Sequence, residues 1–336
     1  MKLTLAGSKA DKAGNPVQLK SGALQQLLAF TSLVVLVVFF SLSSSNFFGF
    51  SNIVGILLST AVIGVLALGS TFVIITGGID LSVGTVMTLS AVMTGVFITF
   101  WGVPVPLGIL GGILTGAFCG LLSGLSIAKL KIPPFIATLA MMMIAKGLAL
   151  VISGTKPIYF NDSPVFREIA LGSLLNSIIP GFKIPNAVLV FFLAAIVGAV
   201  LLAKTIVGRY NFALGSNEEA TRLSGVNVDK WKIVIYTITG VFTGLAGVLM
   251  ASRLNSAQPA LGMGYELEAI AAVVIGGTSL SGGKGTIVGT VIGALIMSVL
   301  TNGLRIMSVP QEWQTVVVGF VILLAVYADI LRRRKK

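Results

Sequence analysis

Apolar runs, all but one of about twenty residues, recur along the chain, at roughly 24–44, 53–76, 83–101, 105–128, 133–152, 187–205, 233–251, the shorter 266–278, 285–304 and 313–331. Crossing ~30 Å of hydrocarbon takes ~20 helical residues. In lipid every backbone N–H and C=O must be satisfied internally, which leaves helices and closed barrels. The short alternating segments of a barrel are not seen. The sequence therefore specifies an all-α, polytopic transmembrane helical bundle of about ten spans. Charged residues make up 10% of the chain against ~25% in soluble domains, too few to cover a water-facing surface. One transmembrane domain, 24–331, is expected between a polar tail, 1–23, and a basic tail, 332–336.

The run Leu24–Leu42 exceeds the ~7–15 residues of a secretion-signal core, so an uncleaved first span is expected. Cys119 is the sole cysteine and reads as a small core residue; with no histidine, imidazole metal sites and histidine proton relays are excluded. No cofactor or metal is called for. The net charge of +12 raises nucleic acid as a partner, but the placement of the charges points to a lipid bilayer instead. With the N-terminus inside and sides alternating, Lys2, Lys9, Lys12, Lys20, Lys129, Lys131, Lys204, Arg209, Arg222, Lys230, Lys232, Lys284 and the tail RRRKK fall on one side. Lys156, Arg167, Lys183, Arg253 and Arg305 fall on the other, with Lys146 inside a span. That bias follows the positive-inside rule. It favours an even number of spans, with both termini cytoplasmic.

Two glycine-rich breaks stand out. GGIDLSVG at 77–84 follows the second span, and GGTSLSGG at 276–283 follows the short eighth segment. Aligned on their leading glycines, the two share the Leu-Ser pair and the final glycine. Unwound backbone at membrane depth is tolerated where protein or a water-filled cavity satisfies it, and such interruptions point to a transport pathway. Gly77, Gly78, Asp80, Ser82, Gly276, Gly277, Ser281 and Lys284 are thus candidates for a pathway or gate; close helix packing by glycine is the plainer alternative. Asp80 is expected to cap or orient the third span, where the helix N-terminus favours a carboxylate. Asp80 and Lys284 are expected to pair across the basic mouth. SGGKGT at 281–286 resembles a phosphate loop but fails its spacing, since Thr278 stands where the first glycine belongs and Gly285 follows the lysine.

The longest basic loop contains SNEEATRLSG. Ser216 and Glu219 have capping-box spacing, Glu218 and Arg222 stand four apart, and Gly225 suits a left-handed stop. At about two turns this helix cannot stand alone in water. Its apolar residues, Ala220 and Leu223, need a surface, whether its own bundle, lipid or another protein.

Glu219-Ala220-Thr221-x3-Gly225 resembles the EAA-x3-G loop through which ABC importer permeases contact their ATPases, with Ile235 at the following isoleucine and Thr237-Ile238 in place of the usual Leu-Pro. GGIDLSVG, GSNEEATRLSGVNV, the segment RLNSAQPALGMGYELEAIAAVVIGGTSLSGGKGTIVGT and the basic tail resemble the ribose-type monosaccharide branch, over most of 46–330. The resemblance implies a homodimer of permease chains in the bacterial inner membrane. Its implied partners are a cytoplasmic ABC ATPase subunit and a periplasmic sugar-binding protein. The chain itself would be no enzyme. Glu218, Glu219, Ala220, Arg222, Leu223 and Gly225 would form the ATPase-coupling loop, and the loop 154–186 would be a candidate contact for the binding protein.

An ion-coupled secondary sugar transporter is the alternative, but Asp80 and Lys146 are thin for a chain of buried titrating groups. A membrane-embedded enzyme lacks clustered carboxylates beyond Glu266 and Glu268. Those two are read as complementing the start of the eighth segment.

Overall fold

The computed structural model of the chain describes residues 21–334; expectations for the 1–20 stretch and for the last two lysines lie outside the described residues. Five helices form the first half. They are α1 (Ser21–Ser43), α2 (Phe50–Ile75), α3 (Val83–Gly95, extended by a π-helical turn, Val96–Phe100), α4 (Val105–Ala128) and α5 (Pro134–Ile152). The loop that follows carries β1 (Ile158–Tyr159), α6 (Pro164–Leu171) and α7 (Leu174–Ile178), then α8 (Asn186–Lys204). The basic loop folds into α9 (Ile206–Ser216) and α10 (Glu218–Leu223). Beyond it come α11 (Val228–Leu254), β2 (Ser256–Ala257), α12 (Tyr265–Ile275), α13 (Ile287–Ile306) and α14 (Gln311–Arg334).

Nine helices among the described residues are long and apolar enough to cross a membrane. The tenth expected segment, α12, has 11 residues and rises only about 16 Å at 1.5 Å per residue. It is a half-crossing. Burial sorts the rest into layers: 61% to 78% of the span residues in α2, α3, α11 and α13 are buried, against 28% or less in α1, α4, α5 and α14. The first set is the centre of the bundle, where α12 packs beside α2 and α13. The second set presents apolar side chains outward, as lipid requires.

Glycine spacing explains the tightest contact. On α4, Gly108, Gly112, Gly116, Gly120 and Gly124 recur every fourth residue and form one stripe. Its middle members face Gly240 and Gly244 of α11, and a Cβ added at Gly116 would lie 2.7 Å from the Gly244 nitrogen, while Gly108 packs on Ile98. Backbones thus meet directly, the small-residue packing that associates helices in lipid.

The chain ends of the spans divide into two groups. Lys129, Lys131, Lys204, Lys230 and Lys284 flank the starts of α5, α11 and α13 and the ends of α4 and α8; this is the basic end. At the opposite end β1 pairs antiparallel with β2, Ile158 opposite Ala257, which ties the loop after α5 to the end of α11. There the Ser252 hydroxyl donates to the Phe166 carbonyl (2.6 Å) and accepts from the Ala170 N–H (2.9 Å), anchoring α6. Leu174, Ile178, Ile179 and Phe182 remain exposed beside it.

Candidate functional site

At the basic end three segments converge: the end of α2, the end of α9, and the loop from α12 to α13. Both helices that run into double glycines end in the same way. Gly77 N–H donates to the Ile74 carbonyl (2.9 Å) and Gly78 N–H to Val73 (3.2 Å). Gly277 N–H donates to Val274 (2.9 Å) and Thr278 N–H to Val273 (3.1 Å). These are paired Schellman closures that satisfy the last helix carbonyls. The left-handed residues are Gly77 (φ +79°) and Gly277 (φ +94°).

The structural match is therefore offset by one residue from the sequence match, which places Gly77 against Gly276. In the first pair the left-handed glycine comes first and Gly78 packs, its would-be Cβ 2.7 Å from the Tyr236 hydroxyl. In the second pair Gly276 packs against the start of α13, its would-be Cβ 2.8 Å from the Thr290 nitrogen, and the left-handed glycine comes second. The downstream serines differ as well. Ser82 is buried, whereas Ser281 is exposed on a turn closed by Ser279 N–H to the Lys284 carbonyl (3.0 Å).

That turn is locked to α2 by Gly283 N–H donating to the Ile75 carbonyl (2.8 Å). Gly215, at the end of α9, sits against both atoms of this bond: a Cβ there would lie 2.6 Å from the Gly283 nitrogen and collide with the Ile75 oxygen. The basic loop thus abuts the pathway candidates through bare backbone.

Asp80 is 5% exposed. Its Oδ1 accepts from the Ser82 N–H (2.8 Å) and the Ser82 hydroxyl (2.6 Å), and Leu81 N–H donates to Thr138 of α5 (3.2 Å). Asp80 fixes the residue that opens α3, as an orienting role requires. The expected pair with Lys284 is not formed: among the described residues neither takes part in an ion pair. The reason is geometric. Asp80 faces the buried bundle, while Lys284 stands exposed on the tight turn. Asp80→Ala removes the acceptor of two buried donors, at roughly 1–3 kcal/mol, and is expected to lower the thermal midpoint by several degrees. Asp80→Asn keeps one carbonyl acceptor and loses less. Combining Asp80→Lys with Lys284→Asp is expected to rescue nothing.

The short helix forms, with a corrected cap. α9 runs through Ser216, and Asn217 caps α10, its side-chain oxygen accepting from Ala220 N–H (2.9 Å). Asn and Ser are comparable N-caps; the helix before the cap decides which is used. Arg222 meets Glu218 at 3.3 Å as its spacing requires, and Gly225 has φ +83°. Glu218 also meets Lys232 (2.7 Å), and Asp229 meets Lys131 (2.8 Å) and Arg222 (3.8 Å). These partly exposed pairs are each worth ~0–1 kcal/mol, but together they steady α10 against α11 and the α4–α5 turn. Leu223 is 83% exposed, and Glu219 and Ala220 are exposed. The apolar side of α10 is not packed on its own bundle.

Two other candidates find places. Lys146 donates to the Met263 sulfur (3.0 Å), a weak acceptor. Glu266 accepts from Gly264 N–H (3.0 and 3.1 Å) at the start of α12, as expected, while Glu268 lines a cavity.

A bundle of apolar helices broken by glycine turns, with a short helix left projecting beside the break, is the organisation of a membrane-embedded transport subunit. The chain belongs to the family described as branched-chain amino acid transport system / permease component, matched over residues 52–326. It is 40% identical over 311 residues to the ribose import permease protein of Escherichia coli K12, covering 91% of this chain and 94% of that protein. The ribose import permease protein of Bacillus subtilis is 44% identical over 310 residues (92% and 94%). The fructose import permease protein of Rhizobium meliloti is 38% identical over 299 residues (88% and 82%). No solved structure matches the chain.

Proposed function

We propose that the chain is the transmembrane permease subunit of a bacterial ATP-binding-cassette importer for ribose or a related monosaccharide. Two copies form the translocation pathway between them. The basic end is cytoplasmic, with both termini on that side, and the whole lies in the inner membrane. ATP is hydrolysed on a separate cytoplasmic subunit, and a periplasmic binding protein delivers the sugar to the opposite end. The permease relatives named for ribose and fructose support a sugar over the amino acids in the family's description.

One observation carries the coupling half of this reading. Leu223 projects from a helix too short to persist alone, and α9, which leads into it, ends against the Ile75–Gly283 bond. Force applied to α10 therefore reaches both glycine-rich segments through Gly215, which touches Ile75 and Gly283 together. Glu218, Glu219, Ala220, Arg222 and Leu223 form the docking surface, with Gly225 ending the helix. Gly77, Gly78, Gly276, Gly277, Ser281 and Lys284 line the part that moves. Asp80 and Ser82 hold the start of α3 beside it. The exposed Leu174, Ile178 and Phe182 beside α6 are a surface for the binding protein.

Inside-out vesicles carrying the chain, its ATPase and the binding protein provide the test. Ribose transport is expected to follow ATP and to ignore ionophores. Transport that collapses with the proton or sodium gradient contradicts the proposal.

A further inference from the structure

A cavity of about 600 Å³ opens among α2, α11, α12, α13 and α14, lined by Ser59, Arg253, Tyr265, Glu268, Arg305 and Gln314 together with apolar side chains. It lies at the end opposite the basic one, since Arg253 ends α11 and Arg305 ends α13. It also reaches inward. α12 runs antiparallel to α13, with Gly276 against Gly289 and Gly293 against Ala272, yet α13 rises 20 residues and α12 only 11. At 1.5 Å per residue α12 begins about halfway up, so Tyr265 and Glu268 stand near mid-bilayer.

Among the described residues, no ion pair closer than 4 Å joins the charges of this cavity. Arg253 donates to the Ser59 hydroxyl at 3.3 Å, one bond for a group with five donors. Ionisable groups at such depth are costly and mark a solute path by default. The mixture of groups selects the solute. A cation meets two guanidiniums, and an anion meets the Glu268 carboxylate. A neutral polyol supplies acceptors to the arginines and donors to Glu268, and its C–H faces suit the apolar walls. The volume is that of a small-molecule site, ~300–1,000 Å³.

We propose that this cavity is a binding site for the transported solute, a neutral polyhydroxylated molecule of monosaccharide size, held by Arg253, Glu268 and Arg305. The inference rests on the import reading above and adds that the permease itself discriminates among sugars.

The test uses the purified permease–ATPase complex, probed with radiolabelled ribose, xylose and fructose by equilibrium binding without the binding protein, and by uptake into proteoliposomes with it. Wild type is expected to bind at least one of the three. Glu268→Gln and Arg253→Gln are each expected to weaken that binding about tenfold or more, and to change the ratio of uptake among the sugars, because a site that hydrogen-bonds hydroxyls discriminates through them. Should either variant fail to assemble with the ATPase, Gln314→Ala and Tyr265→Phe carry the same expectation at about threefold, one lost hydrogen bond each. Variants that assemble, yet bind and move all three sugars as wild type does, overturn the proposal. It is also overturned if capture of the binding protein is lost while sugar binding to the permease stays intact, which makes the cavity a docking surface. A wild-type complex that moves a sugar but binds none without the binding protein overturns this inference alone. One that neither binds nor moves any of the three overturns the import reading as well.

Discussion

Gly215→Ala is expected to reduce ribose uptake by at least about tenfold while leaving the helices inserted. The added methyl would lie 2.6 Å from the Gly283 nitrogen and on top of the Ile75 oxygen. Both atoms are backbone, so no side-chain rotation relieves the contact. Overpacking of this kind costs about 1–3 kcal/mol, and here it falls on the bond that holds the 279–284 turn to α2. Two outcomes separate coupling from folding. The turn is expected to become more accessible to a thiol reagent at an introduced cysteine, and retention of the ATPase on purification is expected to persist. Gly147→Ala is the control, because nothing lies within 4 Å of its would-be Cβ; wild-type uptake is expected.

Leu223→Asp is expected to act at the other end of the same chain of contacts. Leu223 is 83% exposed and α10 is anchored by Glu218, Arg222 and Asp229 rather than by this side chain. The thermal midpoint of the purified chain is therefore expected to stay where it is. Association with the ATPase is expected to weaken about thirtyfold or more, the size of a buried apolar anchor at about 2 kcal/mol or above. A fall in the midpoint with unchanged association contradicts the assignment and places Leu223 in the chain's own packing.

Much of this architecture can be read from the sequence because lipid simplifies the code. Nearly every long apolar run became a helix within a few residues of its expected bounds, and α12 was legibly too short before its position was known. The registers that failed depend on hydrogen bonds that letters do not show. Gly77 and Gly276 match as letters, yet the left-handed partner of Gly77 is Gly277, because each helix's last carbonyls decide where it closes. Ser216 and Asn217 are both good caps, and α9 consumed the first. The every-fourth-residue glycines on α4 drew no reading from the sequence, because only the packing shows their partners on α11. The Asp80–Lys284 pair failed because proximity along two matched motifs does not fix which way a side chain faces. The cavity was the least legible part. Ser59, Arg253, Glu268, Arg305 and Gln314 come from five helices, and only the packing brings them together.

On the proposed function, α10 docks into a separate polypeptide and force enters the bundle through it. Ala220→Cys tests this directly, because the native Cys119 is buried and Ala220 is exposed, which leaves one accessible thiol among the described residues. With the co-expressed ATPase present, a short thiol crosslinker at position 220 is expected to capture that subunit, with a yield that changes when ATP is added. No capture, together with ribose transport by the purified chain alone, would contradict the account.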